Sequence, residues 1–93
     1  MNKPWRVADT LADYDLPQII AYHQAKSPAK ARRIVAEYDQ VVARLPRNPR
    51  VLRERDHGWR VYVFQNGPYA LYYRELESFW LIAGVFPALR DPD

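Results

Sequence analysis

Apolar residues recur with helical period in the first half of this chain and with strand-like density in its last third. Ala31, Ile34, Val35, Tyr38, Val41, Val42 and Leu45 follow one another at spacings of 3, 1, 3, 3, 1 and 3. That is one apolar stripe along a helix of about four turns. Ser27-Pro28 starts it, with a capping hydroxyl before a proline at the first helical position. Pro46 and Pro49 stop it. Before it, Leu16, Ile19, Ile20 and His23 share one face of a shorter helix expected from about residue 15 to residue 26. Asp9 or Thr10 could cap it, with Thr10 and Asp13 at capping-box spacing. Pro17 is tolerated only in a first turn, which favours a turn at residues 10 to 14 and Asp15 as the N-cap. So few residues separate the two helices that they must form an antiparallel hairpin.

Trp59-Arg60-Val61-Tyr62-Val63-Phe64, Tyr69-Ala70-Leu71-Tyr72-Tyr73-Arg74 and Phe79-Trp80-Leu81-Ile82-Ala83-Gly84-Val85-Phe86 are β-rich runs. Asn66-Gly67-Pro68 and Leu76-Glu77-Ser78 lie between them, so an antiparallel meander is predicted. Asn66-Gly67 supplies the residues of a tight turn, and Pro68 can lengthen that loop. Gly84 marks a bulge or a close backbone approach. Trp5-Arg6-Val7-Ala8 is a further short strand. The predicted fold is α+β, one small domain over residues 1–93 in the order β-α-α-β-β-β, its helical hairpin packed on a twisted, mainly antiparallel sheet. Leu71 and Tyr73 point to one side of that sheet, Ala70 and Tyr72 to the other. Both sides are apolar enough to meet the helices, so one face is left over for a partner.

Composition narrows the chemistry. A chain of 93 residues buries about two-thirds of its unfolded surface, enough for one core. Three Trp, seven Tyr and three Phe make that core aromatic. Without cysteine there is no disulfide framework, zinc-finger spacing or thiol nucleophile. Two isolated histidines and three glycines make neither a metal site nor a phosphate-cradling loop, so neither metal nor cofactor is expected. No apolar run reaches signal-peptide or membrane-spanning length, and a cytoplasmic location without membrane contact is expected.

The net charge of +3 is unevenly spread. Residues 44 to 60 hold Arg44, Arg47, Arg50, Arg53, Arg55 and Arg60 against Glu54 and Asp56. Arginine forks suit phosphates and carboxylates, so RNA, DNA and acidic proteins are candidate partners. Arg53, Arg55 and His57 alternate in a stretch that, if extended, turns all three the same way. Two guanidiniums beside an imidazole can hold a phosphate while the ring moves a proton. With Arg60 and Arg90 they form the candidate catalytic set of a nuclease. Arg60, Arg74 and Arg90 are the candidate target-binding residues. The expected role of His23 is a packed, hydrogen-bonded one.

The order of these segments resembles the RelE/ParE superfamily of toxins from bacterial type II toxin–antitoxin systems. The carrying residues are Asp15-Leu16, Ile19 and Tyr22, then Ser27-Pro28, Leu45 and Pro49. Gly67-x-Tyr69-x-Leu71-x-Tyr73-Arg74 and Arg90-Asp91-Pro92 complete them. The ParE-like branch fits better. Gly67-Pro68-Tyr69 stands where its members begin a Gly-Arg-Tyr-x-x-x-Tyr-Arg strand. Phe86-Pro87-Ala88-Leu89-Arg90-Asp91 stands where they carry Leu-His-Gly-Ala-Arg-Asp, with Pro87-Ala88 replacing His-Gly. The lysines and strand arginine of RelE-type nucleases are not matched: Val61-Tyr62-Val63 and Ala70 stand there, and Arg90 alone agrees.

The resemblance implies a plasmid-stabilising toxin that binds and poisons DNA gyrase and does no bond chemistry itself. A small antitoxin with an acidic or disordered tail would neutralise it in a hetero-oligomer. The enzymatic alternative is ribosome-dependent cutting of mRNA by the divergent Arg53, Arg55, His57, Arg60 and Arg90 set. A relative that keeps the fold but is not toxic is the third reading.

Overall fold

The computed structural model describes residues 3–88. Strand β1 (Trp5–Val7) leads into a helical hairpin, α1 (Leu16–Lys26) and α2 (Pro28–Arg44). Strands β2 (Trp59–Val63), β3 (Tyr69–Glu75) and β4 (Trp80–Pro87) follow. The sheet runs β1-β4-β3-β2, with β1 parallel to β4 and the other pairs antiparallel. This is the α+β order expected from the sequence, with two helices on a four-stranded sheet.

The leftover-face question is answered by burial. Tyr69, Leu71 and Tyr73 are buried with Ile34, Val41 and Leu45 of the helical stripe in one cluster, which also takes in Leu11, Trp80, Ile82 and Val85. The helices therefore cover the Leu71/Tyr73 face. Burying side chains of this size stabilises the fold by about 1.5–3 kcal/mol each. The edge strand β1 is tied to its neighbour by aromatics: Trp5 of β1 stacks on Trp80 of β4 with ring centroids 5.2 Å apart.

Three local expectations are corrected. Helical backbone already begins at Asp9, not at residue 15. A widened turn, Leu11–Asp15, continues it, in which the Leu16 N–H reaches back to the Leu11 carbonyl. Asp15 is itself helical and makes no side-chain cap. The reason is Pro17, which lacks an N–H and whose ring would strike the carbonyl four residues earlier in a regular helix. A five-residue return gives it room.

The second concerns Asn66-Gly67, where the longer loop that Pro68 allowed is the one formed and the two-residue turn is not. The residues 64 to 68 form a wider loop, closed by the Phe64 N–H donating to Tyr69 O at 2.9 Å. Positive φ occurs among the described residues only at His57 and Gly58. Gly67 is closely packed instead: a Cβ there would stand 3.2 Å from Ile34 Cδ1 and 3.1 Å from the Tyr69 ring, so those side chains would have to give by a few tenths of an ångström. The third concerns the alternation of Arg53, Arg55 and His57. A tight helical turn, Asp56–Gly58, interrupts the extended chain, and His57 takes a left-handed φ of 60°.

Ser27 caps α2 as expected, accepting from the Lys30 N–H at 3.3 Å. Gly84 lies at the expected bulge, and what approaches it closely is a side chain rather than backbone. The register of β3 on β4 slips between Tyr72 and Tyr73, where Gly84 and then Ile82 are the partners. A Cβ on Gly84 would lie 2.4 Å from the Phe86 ring.

Candidate functional site

The arginine-rich segment is not a free loop. Tyr73 donates its hydroxyl hydrogen bond to Pro49 O at 3.0 Å. Arg60 donates to Leu52 O at 2.5 Å. Arg50 donates to Glu75 at 2.8 Å, and its guanidinium lies 5.4 Å from the Trp80 ring centroid. The carboxylate of Glu75 also takes Lys3 Nζ at 2.7 Å. These cations hold the Glu75 carboxyl below its ordinary range, the Lys3 hydrogen bond contributing most. Arg55 N–H donates to Trp59 O at 2.6 Å, and Glu54 bridges to Arg60 beside the outer edge of β2.

The structure thus divides the candidate arginines by face. Arg60 pairs in register with Tyr73, so it points toward the helices, and its side chain is only 12% exposed. It is spent in pinning the loop. Arg53, Arg55 and His57 are exposed, and neither arginine forms an ion pair among the described residues. Of the nuclease candidates, Arg60 faces inward, while His57 sits exposed in a left-handed turn that breaks its alternation with Arg53 and Arg55. Arg90 lies outside the described residues.

Arg74 occupies the opposite face, with Trp59 and Leu81 as its register partners. Its guanidinium sits 4.9 Å from the Trp59 ring centroid. Its Nε is buried and has no hydrogen-bond partner among the described residues. Glu75, the neighbour with which it could have paired, is on the other side of the sheet holding Lys3 and Arg50.

Two polar centres escaped sequence reasoning in part or whole. Glu37 is 6% exposed on the inner stripe of α2. It accepts from Tyr62 Oη at 2.5 Å, from the Gln65 and Asn66 N–H groups at 2.8 and 2.9 Å, and from Asn66 Nδ2 at 3.0 Å. Burial pushes the Glu37 carboxyl up, but those four donors outweigh it and hold it below its ordinary value. Burial and the Glu37 carboxylate together push the Tyr62 phenol up to about 12. The available signal was a carboxylate placed between Ile34 and Val41 on an apolar stripe. His23 has the packed role expected: its Nε2 lies 2.7 Å from Tyr69 Oη. Burial first, then Lys30 and Lys26, lower its basicity.

Among the described residues no group of three or more His, Cys, Asp or Glu is placed to hold a metal ion. None of the described helices is long and apolar enough to cross a membrane.

The sequence from residue 9 to residue 92 matches the family described as the ParE toxin of the type II toxin–antitoxin system parDE. The chain belongs to that family. Among solved structures it is similar to a chain from the chromosomal ParDE toxin–antitoxin system of P. aeruginosa, with a TM-score of 0.77. The two are 19% identical, and the match covers 94% of this chain and 97% of that one. At that identity the likeness speaks for the fold. No curated protein matches the sequence.

Proposed function

We propose that this protein is a toxin that binds DNA gyrase, traps it on cleaved DNA and is neutralised by a small antitoxin encoded beside it. The match of residues 9–92 to the ParE toxin family carries this reading. The solved ParDE system of P. aeruginosa supports an antitoxin as partner. The geometry supports binding over bond chemistry, since the residues a nuclease would need are divided between an inward arginine and exposed loop positions. Arg53, Arg55 and Arg74, with Arg90 from the resemblance, are the proposed contacts.

The test is a gyrase cleavage assay with purified protein, supercoiled plasmid and ATP. Linear DNA with protein on its ends is the expected product, and Arg53→Ala with Arg55→Ala should reduce it. Unchanged plasmid at every dose, together with codon-phased cuts in translated mRNA, would replace this reading with the ribosome-dependent nuclease.

A further inference from the structure

The sheet face away from the helices carries Trp59, Val61 and Val63 from β2, Ala70, Tyr72 and Arg74 from β3, and Leu81, Gly84 and Phe86 from β4. Register places them together. Val63 is 55% exposed and Phe86 46%. Trp59 meets Tyr72 edge-on at 6.4 Å, and Tyr72 meets Phe86 at 5.7 Å. Arg6 of β1, the partner of Leu81, adds a second cation, lying 4.8 Å from the Phe79 ring centroid. Among the described strand residues of this face there is no carboxylate. An apolar sheet surface carrying two arginines repels a second copy of itself and attracts an acidic, amphipathic chain.

Arg74 refines the match. Its guanidinium already lies over the Trp59 ring, so it is held in place before any partner arrives. A buried donor left unpaired is costly, and a carboxylate is the group that satisfies a guanidinium fork best. The ring edges of Trp59, Tyr72 and Phe86 pack against one another rather than standing apart, which fits side chains laid across them better than inserted bases.

We infer that the helix-free face of the sheet is the seat of the antitoxin's acidic amphipathic segment, and that Arg74 is its anchor, receiving a partner carboxylate beside Trp59. This rests on the toxin–antitoxin reading. The last β4 residue, Pro87, pairs with Tyr69, five residues along β3 from Arg74. Pro87 therefore stands about 17 Å along the sheet from the anchor.

The experiment is titration calorimetry with the product of the adjacent reading frame, on wild type and on Arg74→Gln, Val63→Glu and Arg32→Gln, at two salt concentrations. Arg32 is an exposed α2 residue in the groove between the helices. Thermal unfolding confirms that each variant folds, and Val63, being exposed, serves if Arg74→Gln does not. Arg74→Gln should weaken binding at least about 30-fold, and Val63→Glu should weaken it comparably. Arg32→Gln should change little, and hydrogen exchange should show protection across β2 and β3. Tight binding that survives both sheet variants, or is lost only at Arg32, overturns the assignment while the toxin–antitoxin reading stands. No complex with wild type at any concentration overturns that reading and this assignment together.

Discussion

At the residue scale, the decisive side chain is one that a pattern of apolar positions hides. Glu37 organises the loop between β2 and β3 by accepting four hydrogen bonds. Glu37→Gln puts an amide donor among donors and should cost about 3 kcal/mol, read as a lower urea midpoint at unchanged slope. Because the folded carboxyl lies below its ordinary value of 4.5, its contribution is fully present above pH 4.5. It is lost as pH falls through the folded value. Tyr62 works the other way. With its pKa raised from 10.0 to about 12, its contribution holds below pH 10 and fades as pH climbs toward 12. His23 binds its proton less readily folded than unfolded. Stability should therefore decline as pH drops below its ordinary 6.5, and His23→Gln should flatten that limb of the profile. His57, at a φ of 60°, is strained for a side chain with a Cβ. His57→Gly should raise stability by about 1 kcal/mol, and toxicity unchanged by it would separate this residue from any proton transfer.

At the scale of elements, the sequence was readable wherever one period ran uninterrupted. The α2 stripe, its Ser27-Pro28 start and the three-strand meander follow from local rules, and the structure has them. The α1 start was misread because Pro17 was assumed to break a helix, whereas the widened turn at Leu11–Asp15 lets the helix pass through it. The sequence leaves Asn66-Gly67 open between a tight turn and a loop lengthened by Pro68; the longer form is held from α2, by Glu37 and Ile34, and no local rule sees that far. The same limit applies to the arginines. Alternation along β2 and β3 puts Arg60 and Arg74 on opposite faces, but only the placement of the helices decides which one is spent. Gly84 can be tested as an element feature. Gly84→Ala must displace the Phe86 ring, whose nearest atom would lie 2.4 Å from the new Cβ. The ring is half-exposed and free to swing, so stability should change by less than about 1 kcal/mol, while affinity for a partner on that face should fall more than tenfold.

At the scale of the whole molecule, the first strand is held by the last. Trp5 pairs with Trp80, Arg6 with Leu81 and Val7 with Ile82, in parallel. Such a closure spans nearly the full chain, unlike the local hairpin of α1 and α2. It has a consequence in time. A ribosome adds roughly 5–20 residues per second, so the 75 positions separating Trp5 from Trp80 take about 4–15 s to make. The helical hairpin can form early in that interval. The sheet cannot close, and Arg74 and Leu81 cannot come side by side, until synthesis is almost complete. Under the proposed function, a chain interrupted before β4 has no assembled face to offer either a target or an antitoxin, so the growing polypeptide engages neither for most of its manufacture.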